Sequence, residues 1–165
     1  MATLRFRGLD EYLQKLQRLQ KNTPGLLTRI TYEMAGIIAD EVKRNIDSLP
    51  AEPDTEALKA YAEGRKAPLT ISQKRGLQQG FGISPMEESD GYFNVKLGFD
   101  GYNDTKTNKY PRGQPNVMIA RSLESGSSVR DKHPFVRPAV NRKRKEAVER
   151  AQQMINEALS EEMEE

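Results

Sequence analysis

Apolar positions recur at helical spacing near both ends of the chain and alternate with polar ones in the middle. Leu9, Tyr12, Leu13, Leu16 and Leu19 fall three or four apart, which predicts an amphipathic helix over about 9–21. Thr23-Pro24 has the form of a new helix start. Threonine can cap, and proline loses nothing at the first helical position, where its missing N–H has no partner. From there Leu27, Ile30, Met34, Ile37, Ile38, Val42 and Ile46 trace one stripe to about residue 48. Gly36 interrupts that helix, costing about 1 kcal/mol relative to Ala, and its expected use is close approach of another backbone.

Residues 48–70 hold Pro50, Pro53, Gly64 and Pro68, with room for a short helical stretch around Thr55–Ala62. Ser72 fits the cap of another short helix running to Gln79 and ending near Gly80. The period then changes to two. Phe81 and Ile83, then Phe93, Val95, Leu97 and Phe99, alternate with small or polar residues, and Glu88-Ser89-Asp90-Gly91 supplies a turn between them. This predicts an antiparallel hairpin with one buried face. Residues 100–116 offer almost nothing to a core and are long for a structureless connection, which leaves disorder or a functional arm. Val117, Ala120 and Leu123 suit a short helix ended by Gly126.

His133-Pro134-Phe135-Val136-Arg137-Pro138 reads as an extended strut, because Pro138 disfavours the helical region at Arg137. A last helix then starts at Pro138 and runs to about 162, with Val140, Ala147, Ala151, Ile155, Ala158 and Leu159 as its apolar stripe. The expected fold is α+β in one domain, 1–165. Its parts are a helical pair (1–48), a hairpin with a long loop (71–126), the strut (133–138) and the C-terminal helix (138–163), the helices packing on a small antiparallel sheet.

Composition narrows what this fold can do. Hydrophobic residues make up 36% and charged residues 30%, with no Trp, so one modest core is expected and much surface is polar or covered by partners. The absence of cysteine rules out disulfides, thiolate metal sites and cysteine nucleophiles. No run approaches the roughly 18 apolar residues of a membrane span, and Met1–Arg7 lacks a signal core, which reads as a soluble cytoplasmic product. Twenty-six basic residues face 24 acidic ones, a net +2 that argues against nucleic acid as the main partner.

Candidate chemistry is sparse. His133 is the one histidine, and no serine sits in a nucleophile-elbow setting, so no hydrolase triad is expected. Asp100-Gly-Tyr-Asn-Asp104 lacks the alternating ligands of a calcium loop, and Gly80-Phe-Gly82 is no phosphate loop. No enzyme, metal or cofactor is expected. Arg142-Lys143-Arg144-Lys145 is the strongest charge feature. Four successive helical residues point all around the axis, with Arg144 on the apolar stripe four residues after Val140. The run can be a solvated helix start, a contact for an acidic neighbouring subunit, or a DNA-phosphate contact opposed by Glu146, Glu149 and the acidic end.

One longer pattern is more telling. Ile119-Ala-Arg-Ser-Leu-Glu-Ser-Gly-Ser127, a polar spacer, and then His133-Pro-Phe-Val-Arg-Pro-Ala139 before a charged helix resembles the phage tail-completion family. That family is typified by gene product ten of the HK-type siphophages and is related to minor tail protein Z of lambda. Ser125 stands where the family has an aromatic residue, and Ser127 where it has Thr. The opening Phe6–Tyr12, the expected pair of N-terminal helices, Gly80–Ile83 and Lys96–Tyr102 are similar to the family as well.

The resemblance implies a non-enzymatic virion protein that completes the head–tail joint as a homo-oligomeric ring, six copies by likeness. Its partners would be head-connector and tail tube or tail terminator proteins, with DNA only as passing cargo and no membrane. It would be made in the host bacterial cytoplasm and reside in the neck or tail of the virion. Arg121, Glu124, Arg142, Lys143, Arg144 and Lys145 are then interface candidates. Gly126, His133, Pro134, Phe135, Arg137 and Pro138 form the structural motif. A small DNA-binding or packaging accessory protein using the basic helix start is the alternative.

Overall fold

Where the sequence predicts two N-terminal helices, one helix, α1, runs from Leu9 to Ser48. The computed structural model describes residues 9–164, and side chains from 14 to 162. Phe6, Arg7, Gly8 and the side chains of Leu9, Tyr12 and Leu13 lie outside them. Thr23 caps nothing. Its hydroxyl donates back to the Leu19 carbonyl (2.7 Å), as Thr28 and Thr31 do to Pro24 and Leu27. Pro24 sits mid-helix, a position that costs about 3 kcal/mol.

The helix continues through Pro24 because its partner does. The last helix, α5 (Val136–Glu164), lies antiparallel along α1. Asn45 donates to the Phe135 carbonyl (2.8 Å), Arg150 reaches Glu33 (3.2 Å), and Asn22 reaches Glu162 (3.0 Å) beyond the proline. A shared seam over this length outweighs a local start preference worth about 1 kcal/mol. Gly36 has no close neighbour in place of a side chain, so its expected use as a close-approach site does not hold.

Between these helices the chain builds a compact head. α2 (Asp54–Ala62) is followed by α3 (Ile71–Gly80), which is capped by Thr70 rather than Ser72. Thr70 and Gln73 satisfy each other's backbone N–H groups in a capping box, while the Ser72 hydroxyl donates to Asp54 (2.7 Å). The predicted hairpin is split in two. β1 (Phe81–Ile83) pairs antiparallel with β4 (Leu97–Phe99), and β2 (Glu87–Ser89) pairs with β3 (Tyr92–Asn94) around the Asp90-Gly91 turn. Pro85, which cannot donate to a ladder, lies between β1 and β2. Both turn residues have positive φ, as a two-residue hairpin turn requires. The alternation holds: Phe93, Val95, Leu97 and Phe99 are half-buried, and Asn94, Lys96 and Gly98 are exposed.

α4 (Asn116–Ser125) completes the head. Val42, Ile46, Leu77, Leu123, Phe135 and Ala139 are among the buried residues of one apolar core that joins the second half of α1 to α3, α4 and the start of α5. The first half of α1 and the second half of α5 extend beyond it as a two-helix arm. Along that arm Leu16, Ile155 and Leu159 remain exposed.

Candidate functional site: the α4–α5 junction

The two halves of the pattern at 119–139 meet at one junction. α4 ends at Gly126, whose φ of 75° is favoured by a residue without Cβ, and the chain reverses there. A hydrogen bond from Ser127 N to Arg130 O (2.9 Å) closes the following turn. The His133 N–H then returns to the Leu123 carbonyl at the end of α4 (2.7 Å).

α5 begins at Val136, two residues before the predicted Pro138, because the N–H groups of its first turn find an acceptor the sequence does not advertise. Glu124 Oε2 accepts from Phe135 N (2.9 Å) and Val136 N (3.0 Å), and Oε1 accepts from Arg137 N (3.0 Å). Pro138, next in line, has no N–H to satisfy. A carboxylate at this end also meets the positive pole of the helix. Burial raises the Glu124 carboxyl, but the bonds from Val136, Phe135 and Arg137 and the charge of Arg137 together hold it below the usual carboxylate value. The structure therefore gives Glu124, expected at an interface, an intramolecular role.

Phe135 is 1% exposed and packs edge-on against Phe99 (5.8 Å between centroids), which in turn leans on Phe81 (5.1 Å). The motif thus drives one ring into the core between α1 and the β1–β4 pair. Pro134 and the His133 side chain are exposed. Arg137 is exposed too, with its guanidinium 3.7 Å from Glu124.

The basic run is spread as its periodicity predicts, with one correction. Lys143, not Arg144, lies toward the α1 seam, where it is largely covered and pairs with Glu146. Arg142 contacts Glu41, a buried carboxylate that Arg44 also approaches at 3.2 Å. Lys145 stands 3.7 Å from Glu149. Arg144 and Arg121 are exposed and make no ion pair among the described residues.

Beside the junction lies a cleft of about 430 Å3 bounded by Leu49, Glu52, Ala67, Leu69, Leu123 and Arg130. Charges of both signs line it, and Lys66 is already paired with Asp131 (2.7 Å). Among the described residues no group of three His, Cys, Asp or Glu side chains is placed to hold a metal ion. No helix there is long and apolar enough to cross a membrane.

Two polar networks escape the sequence reading. Arg130, 6% exposed, makes no ion pair among the described residues. It donates to Gln73 Oε1 (2.7 Å) and, at 3.4 Å, to Pro68 O and Ser122 Oγ, and burial lowers its pKa. Gln73 also donates to Gln114 (2.7 Å), tying α3 to the long loop. That loop is seated by Asn103 and Asn116, 3% and 2% exposed. Asn116 donates from its side chain to Asp100 O (2.8 Å) and from its backbone to Gly101 O (3.0 Å), and Asn103 N donates to Gln114 O (2.9 Å). The available signal was Gly76 and Gly80, one turn apart on α3. A Cβ at Gly76 would collide with Asn103 and Asn116, and one at Gly80 with the Asp100 carbonyl. The expectation that 100–116 offers nothing to the interior is therefore corrected: its base is fixed to α3. Compared with known protein families, curated proteins and solved structures, the chain matches none.

Proposed function

We propose that this chain is a structural subunit of the head–tail joint of a tailed bacteriophage or prophage, acting in tail completion as a ring-forming protein without catalytic activity. One observation carries the reading. The two halves of the pattern at 119–139, on which the tail-completion likeness chiefly rests, are tied together: Glu124 caps the helix that follows His-Pro-Phe, and Phe135 anchors it in the core.

Exposed apolar residues along the two-helix arm support self-assembly, since two helices without a third layer leave part of each apolar stripe for another subunit. The alternative, DNA binding through the basic helix start, has less behind it. Arg142 is engaged by Glu41, Lys143 is turned toward the seam, and Lys145 has Glu149 beside it.

Deleting the gene from its phage tests the proposal. Full heads and finished tails should accumulate unjoined, and the chain supplied separately should restore joining. Normal virions from the deletion would refute it.

A further inference from the structure

We infer that the tip of the long loop, residues 104–112, is a phosphate-contacting finger for double-stranded nucleic acid. The inference rests on the head–tail reading, in which a duplex must pass the subunit, and it names the surface that meets that cargo.

Charge location is the first ground. Asp104-Thr-Lys-Thr-Asn-Lys-Tyr-Pro-Arg112 has three basic residues against one acidic, a net +2 equal to that of the whole chain, so the rest of the molecule is balanced. Lys106, Lys109 and Arg112 are exposed, and none has an ion pair among the described residues. On the basic run of α5, by contrast, Arg142 is engaged by Glu41 of α1, and Lys143 and Lys145 have Glu146 and Glu149 beside them, which leaves Arg144 alone without an ion pair among the described residues.

Presentation is the second ground. The loop is no slack connection. Tyr102 and Pro115 form an antiparallel bridge at its base, and Asn103 and Asn116 seat that base on α3. Higher up, Thr107 and Tyr110 exchange backbone hydrogen bonds in both directions (3.1 and 3.0 Å), which folds Asn108-Lys109 into the tip. Lys109 lies 5.6 Å from the Tyr110 ring centre. A hydrogen-bonded base with a short turned tip leaves its three cations exposed.

Chemistry decides between partners. Pro111 is the tip's one aliphatic residue. Apart from it, the cations and Asp104, the tip holds the Thr107 hydroxyl, the Asn108 amide and the Tyr110 ring, while the Thr105 hydroxyl is buried. A protein interface needs an apolar centre that excludes water, and lysine is depleted there. A phosphate backbone is matched by polar, positive, wet surfaces of this kind, and contacts of that type let a duplex slide.

The test uses the full chain and a short fluorescent DNA duplex of arbitrary sequence, titrated by anisotropy over a range of salt. Three phosphate contacts predict a log–log slope against salt of about −2.7. A variant carrying Lys106→Gln, Lys109→Gln and Arg112→Gln should lose this binding with an unchanged melting temperature. Lys106→Arg with Lys109→Arg should keep it, as should Arg144→Gln with Lys145→Gln on α5. Undiminished binding by the tip variant, or none by the parent, overturns the inference. So does a tip variant that binds DNA normally but no longer forms rings, which would make the loop a protein contact. Head–tail joining scored on the same chains separates the two readings. A parent that joins heads to tails yet binds no duplex sinks the finger alone, whereas one that binds through the tip but joins nothing keeps the finger and sinks the joint.

Discussion

Glu124 does with one side chain what helix starts usually divide among a cap, a box partner and water. Three N–H groups converge on its two oxygens, so its loss leaves the first turn of α5 without acceptors. Glu124→Ala should cost about 2 kcal/mol, measured by urea unfolding near neutral pH. The dependence on acidity has a definite sign. A carboxyl held low in the folded state contributes stability above its unfolded value, roughly 4.3, and that contribution fades as pH falls toward the folded value. The gap in melting temperature between parent and Glu124→Gln should therefore be widest above about pH 5 and shrink in acid. A gap that grows in acid would mean the carboxyl is not the acceptor. Phe135→Ala should cost about 3–5 kcal/mol, because its ring is enclosed by Phe99 and the core. Phe135 is legible in the sequence, since a proline on each side of an aromatic limits where it can point. Glu124 is not, because its three targets lie 11 to 13 residues away and no local spacing rule links them.

For elements, what the sequence conveys depends on how local the cause is. The alternation at Phe93–Phe99 and the Asp90-Gly91 turn are read correctly because pleat and turn are properties of neighbouring residues. The antiparallel pairing of Phe81–Ile83 with Leu97–Phe99 is read correctly too, and what is missed is the break at Pro85, beyond which Glu87–Ser89 forms a second pair of its own. Thr23-Pro24 misleads because the signal is local, and the seam that overrides it belongs to a helix more than a hundred residues downstream. The continuous helix makes a sharp prediction. Pro24→Ala should raise stability by about 1–3 kcal/mol, since an interior proline is removed. At the first position of a separate helix the same change would gain nothing, and calorimetry distinguishes the cases. Gly80→Ala should cost at least about 2 kcal/mol, because the added methyl meets the Asp100 carbonyl rather than a yielding side chain.

At the scale of the molecule, a well-filled head continues into an arm that two helices alone must hold together. Ile155 and Leu159 lie exposed on that arm, so changing both to Gln should alter subunit stability by under roughly 1 kcal/mol. The same change should lower the oligomer fraction in sedimentation, and unchanged assembly would place the contact elsewhere. The antiparallel pairing of the first helix with the last also sets a timetable. Val136 follows Ser48 by 88 residues, so α1 leaves the ribosome complete while its partner is still untranslated. At ordinary elongation rates of about 5–20 residues per second α5 arrives on the order of 10 s later, long after a helix of this length has formed. Throughout that interval the stripe from Leu27 to Ile46 is without its own α5, so a finished α5 from a neighbouring copy competes for it. Crowded synthesis on one message should therefore raise the share of exchanged pairs, α1 of one copy against α5 of the next, above that from dilute synthesis.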